Sequence, residues 1–177
     1  MATEMHLFVI WSKGRFAADR ILNDIRERFE IVLVSEMTFP GKAAECYCRF
    51  YNTRNFNVRK KVTRCGKGAF LVIIVKVNDL RQITDRYGKT VNALMYERKE
   101  IYRDWCGGKF RVHSTLHTSE FARDIYLLTG HSANRWEAGV PSDIRMSFPP
   151  FESIPPPPKE SLISRILRHL KQQKRKG

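Results

Sequence analysis

The stretch Ala69-Phe70-Leu71-Val72-Ile73-Ile74-Val75-Lys76-Val77 is the strongest strand in the sequence. Only Lys76 interrupts its apolar run, the pattern of a strand buried on both faces in the middle of a sheet. Downstream, Asn78-Asp79 is a capping pair and predicts a helix over Leu80 to Arg86. After Gly88, the spacing of Val91, Leu94, Met95, Ile101 and Tyr102 predicts a helix over Val91 to Asp104, ended by Gly107-Gly108. Lys109 to Thr115 alternates Phe110 and Val112 with Arg111 and His113, the period of a half-buried strand. A helix from Thr118 to Leu128 follows, with Thr118 or Ser119 as its cap and Glu120 and Asp124 in its first turns.

Upstream, Asn52 to Lys67 is polar and basic and reads as loop, and Lys42 to Tyr51 reads as a helix after the Pro40-Gly41 turn. Glu30 to Val34 is a second strand. Ala17 to Phe29 carries Ile21, Leu22, Ile25 and Phe29 at helical spacing, and Leu7 to Trp11 is a buried first strand. Strands separated by helices, about four strands in all, predict an α+β fold with a ferredoxin-like βαββαβ core and helices packed on the sheet. A C-terminal basic amphipathic helix is added to this core.

The chain has 177 residues and a net charge of +14, with pI near 10.0. A balance this basic points to an anionic partner: nucleotide phosphates, nucleic acid or an acidic membrane surface. No run of 18 apolar residues occurs, and Met1 to His6 lacks a signal-peptide layout, so a cytoplasmic protein is expected, peripheral at a membrane if the tail binds one. Cys46, Cys48, Cys65 and Cys106 do not form a paired C-x-x-C framework and read as reduced thiols. Walker A, G-x-G-x-x-G and H-E-x-x-H motifs are all absent.

Three segments follow from composition. Residues 1–147 form the α+β domain. Residues 148–158, with Pro149-Pro150 and Pro155 to Pro158, form a stiff linker. Residues 159–177 form the tail helix, with seven Lys or Arg against one Glu and with Leu162, Ile163, Ile166, Leu167 and Leu170 on one face. Such a helix either docks on the body or a partner chain, or contacts an anionic membrane or nucleic acid. The run Arg59-Lys60-Lys61-Val62-Thr63-Arg64 is a solvated loop in the plain reading. With Tyr51 and Phe56 interleaved, it also has the elements of a stacking surface for single-stranded nucleic acid.

The chemistry concentrates at His113. A histidine beside hydroxyls and close to a helix start suits phosphate handling, because free N–H groups and the positive helix end lie nearby. Val112-His113-Ser114-Thr115, with Asp124 eleven residues after the histidine, resembles the catalytic motif of nucleoside diphosphate kinases. In that family the motif is Val/Ile-His-Gly-Ser followed by a helix bearing a glutamate. Here Ser114 replaces the glycine, Thr115 the serine and Asp124 the glutamate. The resemblance covers roughly residues 6 to 130 and includes the first strand and the helix ending at Arg28-Phe29.

The resemblance implies a nucleotide-dependent phosphotransferase that passes a phosphoryl group through a phosphohistidine. His113 would carry the group, Asp124 would orient the ring, and Thr115 would bond a transferring or leaving oxygen. Lys13, Arg103, Lys109 and Arg111 are the cations in place for phosphates, and Phe56, in an Arg-Asn-Phe context, is the counterpart of the base-stacking phenylalanine. Mg²⁺ with a nucleoside triphosphate such as ATP is the implied cofactor, and no metal ligands are assigned to the chain. A nucleotide is the implied partner, with a homo-oligomer also in view. The competing reading is a non-catalytic module of the same fold that binds nucleic acid or an anionic membrane through the basic loop and the tail. The family's first strand ends in lysine followed by Pro-Asp. Trp11-Ser12-Lys13-Gly14 occupies that region here, with Lys13 offset by one position.

Overall fold

A computed structural model describes residues 3–51 and 56–141. The proline linker and the tail helix expected at 148–158 and 159–177 lie outside the described residues, as does the side chain of Phe56. The sheet is built from β1 (Glu4–Ile10), β2 (Glu30–Met37), β3 (Phe70–Val77) and β6 (Val112–Ser114), in the order β2-β3-β1-β6. Every neighbouring pair is antiparallel. β1 and β2 therefore run parallel with β3 between them, and β3 and β6 run parallel with β1 between them. These are two interlocked split β-α-β units, the ferredoxin-like arrangement.

The run at 69–77 occupies the position its composition predicts. β3 lies between β2 and β1, and of its eight residues only Lys76 is not buried. Strand alternation sends its side chains into two separate cores. Val72 and Ile74, with Leu7 and Val9 of β1, pack under α2 (Ala43–Phe50) and α5 (Thr118–Thr129). Ile73 and Val75, with Phe8 and Ile10, pack under α1 (Ala18–Arg28) and α4 (Ala93–Trp105). Each fully buried aliphatic side chain contributes about 1.5–3 kcal/mol of transfer free energy.

Two segments depart from the sequence expectations. Leu80 to Arg86 is no helix. β4 (Gln82–Thr84) pairs with β5 (Thr90–Asn92) in a two-stranded hairpin. Asp85 makes the turn instead of a helix: its Oδ1 accepts the amides of Tyr87 and Lys89. The expected helix at 91–104 accordingly starts later, after β5, with Asn92 as its cap, Oδ1 accepting the Met95 amide at 3.0 Å.

Asn52 to Lys67 is not all loop either: α3 spans Phe56–Cys65. Val58, Val62 and Cys65 recur at helical spacing, and the intervening Lys and Arg are good helix formers. The strand expected over 109–115 is shorter, with 109–110 in a turn and Arg111 in a bend before β6. The cap of α5 is His117, whose side chain makes no capping bond; Glu120 Oε2 accepts the Leu116 amide instead. α5 ends at Gly130, whose φ of 74° gives the left-handed closing turn, and α6 (Ala133–Glu137) follows.

Candidate active site

β6 is an edge strand of three residues, and its neighbours fix it from every side. His113 pairs with Val9, the Trp11 amide donates to Arg111 O at 2.9 Å, and the Thr115 amide donates to Leu7 O at 3.1 Å. On the side of α4, Lys99 Nζ donates to Ser114 O at 2.8 Å and Arg103 Nε to Val112 O at 3.4 Å. Side-chain cations thus take carbonyls that an edge strand leaves without a neighbour.

Because His113 is in register with Val9, its side chain projects to the face that carries α2 and α5. There Nε2 lies 2.7 Å from Asp124 Oδ2. Asp124 is fully buried, and its other oxygen accepts Arg123 Nε at 2.7 Å and Nη2 at 2.6 Å. A carboxylate only accepts, so the geometry assigns the ring proton to Nε2 and leaves the Nδ1 lone pair open. Among the described residues Nδ1 has no hydrogen-bond partner.

Two rings of α2 and its end confine the imidazole. Phe50 meets it edge-on at 4.9 Å between centroids and 81° between planes, and Tyr51 does so at 5.6 Å and 84°. The Tyr51 hydroxyl accepts Trp11 Nε1 at 2.8 Å, which ties the ring to the end of β1. Lys61 Nζ of α3 sits 3.6 Å from the centre of the Tyr51 ring. Burial pushes the Lys61 ammonium below its usual range, and Arg103 and Arg64 push it the same way against an opposing influence from Cys65.

The side chain of His113 is 11% exposed. Burial lowers its pKa below the ordinary histidine value, the bond to Asp124 opposes this, and the positive charge of Lys99 adds to the lowering. The ring is therefore neutral at pH 7, the form in which imidazole is a nucleophile.

Several residues expected at the site are placed elsewhere. Thr115 is fully buried and does not reach the ring: its Oγ1 accepts the Leu7 amide at 3.0 Å and faces His6 Nδ1 at 3.2 Å. The hydroxyl is engaged by the first strand, where backbone and a buried histidine need a partner. Lys13 lines a different cleft, one that His113 does not line. Trp11 follows directly after β1, buried among Phe39, Tyr47, Phe50, Tyr51 and Phe70.

Arg103 is paired with Glu100 at 2.6 Å as well as with β6, and Arg111 Nη1 donates to Cys106 O at 2.7 Å. Lys109 is exposed in the turn before β6. Phe56 opens α3, its side chain outside the described residues.

The residues that surround the ring were only partly visible in sequence. Phe50 and Tyr51 stand out as a double aromatic at the end of a helix, but their pairing with His113 is a tertiary fact. Arg123 adjoins Asp124 in sequence, which is the signal for its ion pair. Lys99 carries no local signal beyond its place on α4, where every neighbour in sequence is also charged or apolar.

Among the described residues no group of three or more His, Cys, Asp and Glu could hold a metal ion, and no helix is long and apolar enough to cross a membrane. No family model matches the sequence, and no curated protein does. Similar solved structures are nucleoside diphosphate kinases. That of Aquifex aeolicus is 17% identical, covers 70% of this chain and 93% of its own, and has a TM-score of 0.49. That of Encephalitozoon cuniculi is 16% identical over 70% of this chain and 86% of its own, with a TM-score of 0.45. A family protein from Babesia bovis is 15% identical over 68% and 84%, with a TM-score of 0.44.

Proposed function

We propose that this protein is a nucleotide-dependent phosphotransferase that carries a phosphoryl group on His113. The observation that carries the reading is the 2.7 Å contact of His113 Nε2 with the buried carboxylate of Asp124. Nδ1 attacks the terminal phosphorus of a nucleoside triphosphate in line. The bond from that phosphorus to the bridging oxygen breaks, and the nucleoside diphosphate leaves with both electrons of that bond. Nε2 keeps its proton, and Asp124 balances the positive charge that develops on the ring. An acceptor oxygen then attacks the same phosphorus from the side the leaving group occupied, and Nδ1 is regenerated.

The surroundings support this chemistry in two ways. Phe50 and Tyr51 hold the ring at fixed orientation, so little reorganisation is needed to reach the attacking geometry. Lys61 stands over the Tyr51 ring and Arg123 pairs with Asp124, and cations placed there stabilise charge on the equatorial phosphate oxygens. Mg²⁺ would enter with the substrate, as the metal–nucleotide complex.

Incubation with γ-labelled ATP and Mg²⁺ tests the reading. The expected product is an acid-labile, base-stable phosphoprotein, formed by the wild type and not by His113→Ala. No label from any of the common nucleoside triphosphates would end the proposal.

A further inference from the structure

A cleft of about 1040 Å³ opens between the end of β2, the start of α2, the outer side of α3 and the loop at Gly66 to Ala69, and His113 does not line it. Four cations surround it: Lys13, Lys42, Arg59 and Lys67. All four are exposed, and none forms an ion pair among the described residues. No Asp or Glu is among the described residues that line it. Four like charges around one concavity repel one another, whereas Arg28 is matched by Asp24, Lys76 by Glu30 and Arg81 by Asp79. The cleft is thus a place where the chain has assembled positive charge and left it unneutralised.

The backbone adds to this charge. Ala43 and Ala44, the first residues of α2, line the cleft, and first-turn amides have no partner within a helix. Lys42 makes no side-chain cap bond to them. The volume is that of a site for a small organic ligand and too large for a single phosphate to touch all four cations. The anion that fits is a chain of phosphates, which spreads charge over several ångströms and accepts both point charges and amides.

We infer that this cleft is a second anion site, taking an oligophosphate chain, free or borne by a nucleotide, and separate from the His113 centre.

Titration calorimetry of the full chain with inorganic tripolyphosphate and with ATP, at low and high salt, tests this. Saturable, salt-sensitive binding of tripolyphosphate is expected. The double variant K13Q/K67Q should weaken it at least about tenfold, the order expected for losing charge-assisted hydrogen bonds. A44E places a carboxylate at an exposed lining position and should weaken it similarly without disturbing either core. Tighter binding of ATP than of tripolyphosphate, lost in the same variants, would assign the site to nucleotides; equal binding would assign it to the phosphate chain alone.

H113A should bind as the wild type does, so the inference stands or falls apart from the phosphohistidine. Affinity unchanged in both cleft variants, binding lost in H113A, or binding absent at low salt would each overturn it. So would a short single-stranded RNA binding far more tightly than tripolyphosphate through the same residues, since that would make the cleft part of a nucleic-acid path.

Discussion

Arg123 and His113 take opposite oxygens of one buried carboxylate. Arg123 donates to Asp124 Oδ1 and His113 Nε2 faces Oδ2, so the guanidinium sets the rotation of the group that sets the ring. Arg123 is about half exposed while Asp124 is fully buried. Replacing Arg123 by Ala should slow labelling of His113 about tenfold, the scale of a charged hydrogen bond of about 1.5–3 kcal/mol partly screened by water. Asp124→Asn should slow it by about 10²-fold or more, because an amide no longer balances the charge on the imidazole. Labelling rates of the two variants under identical nucleotide concentrations check the order. Equal rates in wild type and Asp124→Asn would remove Asp124 from the chemistry.

The acid limb of stability should come from two buried histidines. Burial lowers the pKa of both His6 and His113. A histidine with a depressed pKa binds fewer protons folded than unfolded. Its stability is present above the unfolded value near 6.5 and is lost as pH falls below it. Urea midpoints should therefore be level above about pH 7 and fall below about pH 6.5, by at most about 1.4 kcal/mol per pH unit for each histidine. His6→Gln should flatten this limb. Phosphohistidine formation should fall off at a lower pH than an unperturbed histidine would give, since burial lowers the His113 pKa.

Lys99 is a buried cation whose pKa is brought down to about 8, chiefly by burial and also by Arg103. It holds the Ser114 carbonyl and lowers the His113 pKa from behind the strand. Lys99→Met keeps the apolar stem and removes the charge. The NMR titration of the His113 ring should then move to higher pH, and stability should fall by about 1–3 kcal/mol for the carbonyl left without its donor. A stability loss with an unmoved ring titration would show that Lys99 acts on the strand alone.

Gly66 closes the α3 turn with φ of 94°, and a Cβ there would collide with Ser12 Oγ. That hydroxyl donates to Cys65 O and accepts the Gly68 amide. Gly66→Ala should destabilise the protein by about 2 kcal/mol, from the left-handed backbone and the displaced serine together. Thermal melts check this against Gly41→Ala, where an added Cβ meets nothing within 4 Å and little change is expected.

Sequence reading was most reliable where burial alone decides structure. The apolar run at 70–77 could only be a central strand, and the helical spacing of Ile21 and Ile25 put α1 on the sheet. It failed where one side chain redirects the backbone. Asn78-Asp79 looks like a helix cap, yet Asp79 turns back onto Arg81 and Asp85 folds the hairpin. At the site, His113 with Asp124 was legible because their spacing is fixed by one strand and one helix. The bond of Thr115 to His6 was not legible because the two lie 109 residues apart. Phe50, Tyr51 and Lys61 approach from α2 and α3, and no local pattern states that approach.

The pairing of β6 with β1 has a consequence for how the protein comes into being. The contacts Leu7 to Thr115 and His6 to Thr115 join chain positions 108 and 109 residues apart. Closing so long a segment is costly in chain entropy, and such contacts form late in folding. The pairing of His113 with Asp124 is therefore completed with the last strand: a chain emerging from the ribosome holds no such pair until α5 has been made. Phosphoryl transfer in this protein would report completed folding, and no fragment lacking either end of the sheet should be labelled.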